Sequence, residues 1–336
     1  MRCRSSALTR RHLRADVPEL PEVETVRRGL DANVVGCRVE RVEVGRERTV
    51  RRTSREALID GLTGTRILAA QRRGKYLVCP LDSGEALMVH LRMSGRLLVA
   101  DPGTPMPPHT HVVMHLIPPG TRAVDRELWF VDPRTFGEVV VFNPDDDLVP
   151  EIGRLGLDPL VDDFSFAAFR SAIGKRRRGL KATLLDQSVV AGIGNIYADE
   201  IMHRARLRWD RHVDELSTAQ LRALHSATAE VINEAVAAGG STLADTQYVD
   251  ALGREGIFQT EHRVYAKEGE RCVTCGRGII RRVIGAGSMG VVYEAHDPEL
   301  KRSVALKVLR GKEERAAGEL QREAQAMASL SHPNVV

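Results

Sequence analysis

The chain has 336 residues, of which 43% are hydrophobic and 28% charged, so it can form two or three folded domains and is not globally disordered. Five cysteines, an odd and sparse set, argue against a disulfide scaffold and for a reducing compartment, and no apolar run approaches the length of a membrane span. The formal net charge of +4 permits a nucleic-acid partner without requiring one.

The N-terminal part of the chain is predicted to be a β domain with a leading helix. Residues 1–17 form a basic segment that is not a secretory signal peptide, and we expect it to be disordered. A helix is predicted to begin near Pro21, since proline is tolerated in the first turn. Strand-like alternation follows, as in Arg38–Val44 and residues 139–142. We therefore predict an antiparallel β domain with a leading helix over residues 18–146.

Helical periodicity replaces this alternation after about residue 150. Helices are predicted over residues 166–173, 181–190 and 218–238, and the last one stops at Gly239-Gly240, a usual C-terminal signal. Residues 150–245 are therefore predicted to form an all-helical domain. The pattern changes again in residues 250–282, which are short, glycine-rich and basic.

The segment from Pro18 to Leu30, PELPEVETVRRGL, resembles the start of the formamidopyrimidine-DNA glycosylases. The resemblance implies that Pro18 is the nucleophile and Glu19 the acid/base. A free α-amine has a pKa of about 8 against about 10.4 for lysine, so more of it is unprotonated at neutral pH. Its attack on the sugar C1′ forms an iminium that expels the base and permits strand cleavage. A bare Pro-Glu pair would instead favour a plain helix start.

Pro18 departs from the family because it is internal, and an internal proline nitrogen is an unreactive amide. Bacterial genes can start at a GUG codon, which specifies valine when it is read internally. We therefore expect Val17 to be the true start and Pro18 to be exposed after removal of the initiator methionine. The alternative, a retained 17-residue lead, would make the chain a non-catalytic DNA-binding relative.

Three further segments resemble parts of the same family. Residues 72–77 resemble its catalytic hairpin lysine, here Lys75, for which the alternative is a surface cation. Residues 90–95 and 132–137 resemble loops whose apolar side chains fill the gap left by an extruded base, which must leave the stack before it is cut. Met93 and Phe136 are the side chains concerned, although either residue alone is more often part of a core.

Residues 184–200 resemble the family's helix–two-turn–helix, in which Gly192 and Gly194 allow a close backbone approach and Asn195 opens a phosphate-binding helix. His109 and His111 resemble a pair in the family's β domain, which we interpret as structural while keeping His109 among the DNA-contact candidates. The DNA-contacting residues that the resemblance implies are Met93, Arg134, Phe136, Lys181, Asn195 and His109.

Cys272 and Cys275 are half of the zinc ribbon that the family carries. A structural zinc ion needs four ligands, usually from two Cys-x-x-Cys pairs, and the sequence has no cysteine after Cys275. The expected zinc finger over residues 250–282 is therefore incomplete, and zinc binding is expected to be poor. The chemistry itself needs no cofactor.

Residues 283–336 instead resemble the N-lobe of serine/threonine protein kinases. A glycine loop over ATP phosphates, a strand lysine and a helix glutamate occur in the right order. The implied, vestigial nucleotide-binding residues are Gly285, Gly287, Gly290, Lys307 and Glu323. Because the His-Arg-Asp and Asp-Phe-Gly motifs are absent from the sequence, we expect no kinase activity and at most weak ATP binding.

The sequence thus predicts an α+β multidomain chain: a β-sandwich, a helix–two-turn–helix domain, a truncated zinc ribbon and a partial kinase N-lobe. The implied function is that of a bifunctional DNA glycosylase and abasic-site lyase. It would excise 8-oxoguanine and formamidopyrimidine from double-stranded DNA as a monomeric, cytoplasmic protein with no membrane partner. A kinase fragment, favoured if the gene continues past Val336, remains the alternative.

Overall fold

The structure is a computed structural model. It describes residues 18–145, 149–174, 177–243, 248–267, 270–274 and 276, and the backbone of residues 280–287, 290–297 and 302–309. This chain separates into two compact units, one extending to His262 and the other starting at Arg263. Within the described part, no helix is long and apolar enough to cross a membrane.

The first unit begins with a helix followed by an antiparallel β-sandwich, as the sequence predicts. Its helices are α1 (Leu20–Asn33) and α2 (Arg55–Leu62), with a 3-10 turn at Glu47–Val50. Its strands are β1 (Arg38–Val44), β2 (Gln71–Arg73), β3 (Tyr76–Pro80), β4 (Ala86–His90), β5 (Arg96–Ala100), β6 (Thr110–Ile117), β7 (Arg126–Val131) and β8 (Glu138–Phe142). The two four-stranded sheets have the orders β1-β6-β7-β5 and β2-β3-β4-β8, and all strand pairs are antiparallel.

The inward-facing side chains of both sheets share one hydrophobic core with α1. Val23, Val26 and Leu30 recur at helical spacing and are fully buried in it. They pack in one cluster with sheet residues such as Leu77 and Phe130. This burial anchors α1 on the sandwich, so the residues just before α1 have a fixed position.

The rest of the first unit is helical. Its helices are α3 (Pro150–Gly153), α4 (Phe166–Ile173), α5 (Leu180–Leu184), α6 (Asn195–Arg204) and α7 (Thr218–Ala237), with 3-10 turns at Val213–Glu215 and Phe258–Glu261. Ser165 and Ser217 cap α4 and α7 by accepting backbone N–H bonds, which explains where these two helices begin.

The predicted helix over residues 181–190 is wrong beyond Leu184. Backbone carbonyl groups there accept hydrogen bonds from another segment of the chain. The amide of Gly156 donates to the carbonyl of Gln187 (2.8 Å), and the amide of Leu157 donates to that of Val189 (3.1 Å). The Gln187 side chain also accepts from the amide of Gly192 (2.8 Å). These bonds stabilise the two turns that separate α5 from α6.

The second unit is described by backbone from Ile280 onward. It contains β9 (Ile280–Gly287), β10 (Gly290–Asp297) and β11 (Arg302–Leu309), which form an antiparallel sheet of order β11-β10-β9. The join expected at residues 282/283 therefore lies within one strand. Upstream, Cys272 is buried and packs with Val264.

Candidate active site

The candidate active site lies where the start of α1 meets the start of α6. Glu19, which immediately follows the buried Pro18, is only 2% exposed. Its carboxylate accepts backbone N–H bonds from Gly194 (2.6 Å), Ile196 (2.9 Å) and Tyr197 (3.4 Å). The first turn of a helix has unpaired N–H groups and a partial positive charge, so it holds a carboxylate well. Glu19 is thus fixed beside Pro18.

The surroundings of Glu19 suit proton transfer near neutral pH. Burial raises the pKa of Glu19 to about 7, and the nearby Glu22 raises it too, whereas Lys75 and the backbone N–H bonds from α6 oppose the rise. A group that titrates near the working pH can both donate and accept a proton during a reaction. This arrangement can therefore supply a general acid and a general base from one carboxyl group.

The side chain of Glu22 binds the backbone of Glu19. Its carboxylate accepts from the Glu19 amide (2.9 Å), the Tyr197 hydroxyl (2.5 Å) and the Ser241 amide (2.7 Å). The Ser241 hydroxyl lies 3.1 Å from Nε2 of His262, which extends the network. Burial raises the pKa of Glu22, although these hydrogen bonds oppose the rise. The network is polar, buried and fully within the first unit.

Lys75 occupies the two-residue turn between β2 and β3, after Gly74, whose φ of +57° suits glycine. The lysine is partly buried. Burial lowers its pKa, while the carboxylates of Glu19 and Glu22 raise it. The sequence-predicted Pro18, Glu19 and Lys75 are therefore brought to one place.

Gly194 is required by this packing rather than by its backbone angles. A Cβ built there would overlap the carboxyl group of Glu19. We expect Gly194→Ala to displace Glu19 from the start of α6 and to lower the activity proposed below by about tenfold or more, because a small misplacement of a catalytic group is costly. Single-turnover kinetics measure this loss.

Gly153→Ala is the matched control for Gly194→Ala. A Cβ at Gly153 meets no atom within 4 Å, so this variant should keep its rate. Equal rates for both variants would show that the contact between residue 194 and Glu19 does not matter.

The two loops predicted to fill the extruded-base gap are tied together by Asp132. Its carboxylate accepts from the Ser94 hydroxyl (2.5 Å) in the loop after β4, and from the Gly137 amide (2.7 Å) at the end of its own loop. Met93 is partly buried, and the Phe136 side chain is 40% exposed. The Phe136 ring is therefore accessible from solvent, on a loop that Asp132 ties at both ends.

The remaining DNA-contact candidates differ in exposure. Arg134 and His109 are exposed, and so is Asn195 at the start of α6. Lys181 is partly buried, and its ammonium group lies 2.9 Å from the Asp199 carboxylate. A DNA phosphate would therefore compete with this carboxylate for Lys181. The N–H groups of α6 that flank Asn195 donate to Glu19.

Sequence reasoning missed the residues that hold these groups in place. Glu22, Tyr197 and Asp132 lie inside the recognised motifs, but a motif does not reveal which side chain supports another. Arg51 lies outside every motif and donates to the carbonyls of Phe136 and Gly137 (3.1 Å to the latter). Its position after the 3-10 turn gives no sequence signal for this role.

The expected metal and nucleotide residues are only partly described. Cys272 is buried, and Cys275 and Glu323 lie outside the described residues. Over the described ranges, no group of three or more histidine, cysteine or acidic side chains is placed to hold a metal ion. In the sequence, Cys272 and Cys275 make up one Cys-x-x-Cys pair, which is half of the four-ligand set that structural zinc uses. Gly285 and Gly287 lie on β9, Gly290 on β10 and Lys307 on β11.

The fold and the site define a class of protein: a β-sandwich joined to a helix–two-turn–helix domain, with a buried Pro-Glu pair at the start of the first helix. The chain belongs to the formamidopyrimidine-DNA glycosylase family. Family models of the N-terminal domain and the H2TH domain of formamidopyrimidine-DNA glycosylase match residues 17–139 and 155–247. A protein tyrosine and serine/threonine kinase model matches residues 279–336.

Individual relatives agree with this assignment. A formamidopyrimidine-DNA glycosylase of a Nocardioides species is 44% identical over 79% of this chain and 89% of its own length. One from Heliobacterium modesticaldum is 42% identical over 79% of this chain and 94% of its own. A mutant Lactococcus lactis enzyme in complex with DNA containing Fapy-dG has a TM-score of 0.70 and 33% identity, covering 85% of this chain and all of that one.

Proposed function

We propose that the chain is a bifunctional DNA glycosylase and abasic-site lyase that excises oxidised purines from double-stranded DNA. The observation that carries the proposal is the buried Glu19, next to Pro18, held by the start of α6 and with its pKa raised to about 7. The names of the relatives support the lesion class. The Lactococcus lactis enzyme, solved in complexes with Fapy-dG and abasic-site DNA, supports DNA as partner.

The proposed reaction begins when the amine of Pro18 attacks C1′ of the damaged nucleoside. Protonated Glu19 donates its proton to the sugar ring oxygen as the C1′–O4′ bond breaks. The base departs with its bonding electron pair and the proton lost from the Pro18 nitrogen, and an iminium links Pro18 to C1′. Removal of a proton from C2′ then allows the 3′ phosphate to leave. Water releases the remaining sugar and regenerates the amine. Lys75, close to both glutamates, adds positive charge beside them.

The reaction requires a form of the protein in which Pro18 is the first residue, since an amide nitrogen does not attack C1′. The match to the family's N-terminal model, which starts at residue 17, supports this requirement. The loops that carry Met93, Arg134 and Phe136 are proposed to fill the gap that the extruded base leaves in the DNA. Asn195, Lys181 and His109 are proposed to lie near the DNA backbone.

The test is incubation of the form that starts at Pro18 with a duplex carrying one 8-oxoguanine. Free base, measured by chromatography, and a cut strand, measured by electrophoresis, are both expected. The same duplex with guanine in place of the lesion is the control. Base release without strand cleavage would contradict the lyase part, and cleavage of both duplexes alike would contradict the lesion specificity.

The kinase-like segment is proposed to be related to the nucleotide-binding N-lobe of a protein kinase. The match of the kinase model to residues 279–336 supports its relationship to a kinase N-lobe. The glycine loop and Lys307 are the residue types that contact ATP phosphates in such an N-lobe.

Zinc is expected to bind this chain poorly. Cys272 and Cys275 supply two of four ligands, so a protein dialysed against metal-free buffer should retain much less than one zinc ion per chain by elemental analysis. A variant with a second Cys pair introduced downstream is the comparison. Stoichiometric zinc in the unsubstituted monomer would show that other residues complete the site.

A further inference from the structure

We propose that Asp158 is a positioning residue that holds the Lys75 hairpin in its working place against the helical part of the first unit. The inference rests on the proposed function and adds a residue to it. Asp158 follows α3 and lies far from Lys75 in sequence, and both residues belong to the first unit.

Asp158 contacts the hairpin through three charge-assisted hydrogen bonds. The Arg72 guanidinium donates to both of its carboxylate oxygens (2.7 and 2.9 Å), which is the paired geometry of a strong arginine–carboxylate contact. The amide of Gly74, the residue next to Lys75, donates to the same carboxylate (2.8 Å). The side chains of Asp158 and Arg72 are both fully buried. Asp158 therefore binds the hairpin at β2 and at the first residue of its turn, next to Lys75.

Arg72 connects the same contact to α1. Its Nε lies 3.1 Å from the Glu24 carboxylate, and its other donors are used by Asp158 and the Gly74 carbonyl. One buried cation thus joins the helix that carries Glu19, the hairpin that carries Lys75 and the helical part. Asp158 is itself held by the Leu160 amide (3.1 Å).

The consequence for the site is electrostatic. Lys75 lowers the pKa of Glu19 against the effects of burial and of Glu22. If the hairpin shifts, this attraction weakens, so the pKa of Glu19 rises further. Substitution of a residue that only keeps the protein folded would not change the pKa of Glu19.

The test compares Asp158→Asn with Asp162→Asn in the chain that starts at Pro18 and ends at Val336. Asp162 is the matched control because its carboxylate pairs with Arg73 on the same hairpin (2.6 Å) and accepts from the Asp158 backbone amide (2.8 Å), but it does not contact Gly74. We expect Asp158→Asn to lower the single-turnover excision rate about tenfold or more. Binding of lesion DNA should change less than about twofold, since the exposed DNA-facing loops are untouched.

Two readouts separate positioning from general destabilisation. The alkaline limb of the rate–pH profile, where Glu19 loses the proton that it donates, should move to higher pH in Asp158→Asn and not in Asp162→Asn. In a Lys75→Met background the Asp158→Asn substitution should have little further effect, because interacting residues are not additive. If Asp158→Asn does not fold, Arg72→Lys keeps the charge, loses the paired geometry and should show the same shift.

A third readout does not depend on activity. The Gly74 amide should exchange its hydrogen faster in Asp158→Asn than in Asp162→Asn. Equal exchange and an unmoved pH profile would overturn the proposal. Faster exchange in a protein whose unsubstituted form cannot cut lesion DNA would instead support the anchoring and overturn the proposed function.

Discussion

Protein that begins at Pro18 is expected to be trapped on lesion DNA by borohydride, whereas protein that begins at Met1 is not. Borohydride reduces an iminium to a stable amine, so trapping reports the covalent intermediate directly. A free amine is needed to form that intermediate, and in the longer form the Pro18 nitrogen is part of a peptide bond. The difference in trapped protein should be at least about a hundredfold.

The comparison needs a control for DNA binding. Both forms should be assayed on an abasic-site duplex, and binding without borohydride should be measured in parallel. Acetylation of the Pro18 amine provides a matched sample, since it removes the nucleophile without changing a side chain. Equal trapping of the Met1 and Pro18 forms would show that another amine is the nucleophile, and Lys75 would then be the first residue to test.

Glu19→Gln is expected to abolish base release while leaving lesion DNA bound. The amide keeps the shape of the carboxyl group but has a single acceptor oxygen, so it can keep the N–H bond from Gly194 or the one from Ile196 but not both, and it cannot transfer a proton. The excision rate should fall about 10²- to 10⁴-fold, with affinity for lesion DNA nearly unchanged. Near-normal turnover of Glu19→Gln would show that Glu19 serves only as the residue at the start of α1.

The same substitution has a predicted effect on stability that does not involve DNA. The pKa of Glu19 is raised from 4.5 to about 7 in the folded protein, so the folded state binds a proton that the unfolded state releases. This contribution is fully present below about pH 4.5 and is lost as the pH rises to about 7. Across that window, unfolding free energy should fall by up to about 1.4 kcal/mol per pH unit relative to Glu19→Gln.

Denaturant unfolding at several pH values measures this difference. Glu19→Gln should gain stability over the unsubstituted protein between pH 4.5 and 7, and the gain should level off above that range. A difference that is constant with pH would show that Glu19 titrates alike in both states, and its assignment as a neutral-pH acid would fail.

Much of the architecture follows from the sequence. The leading helix, the antiparallel β-sandwich and the helix–two-turn–helix were predicted from periodicity and motifs, and the family assignment is confirmed by the relatives. Local patterns suffice there because Val23, Val26 and Leu30 mark a buried helical stripe, and Ser165 and Ser217 mark helix starts. The roles assigned to single site residues stay predictions.

The early end of α5 shows that tertiary hydrogen bonds can override a helical sequence pattern. Residues 185–190 have helical periodicity, but the carbonyl groups of Gln187 and Val189 accept hydrogen bonds from the amides of residues 156 and 157 instead. A backbone carbonyl buried against another segment satisfies its hydrogen bond there, and the helix does not continue. Propensity in a single sequence carries no information about that partner.

The sequence by itself determined which residues are the candidates for the chemistry: a proline beside a glutamate, a hairpin lysine and a glycine-rich turn before a helix. Only the tertiary structure decided how deeply these residues are buried, which charges surround them and where they lie. It buries Glu19 against the start of α6, which raises its pKa to about 7, and it brings Asp158 to Arg72 in a fully buried pair. A pKa and a hairpin position depend on the solvent excluded and the charges nearby, and these come from segments that are remote in sequence.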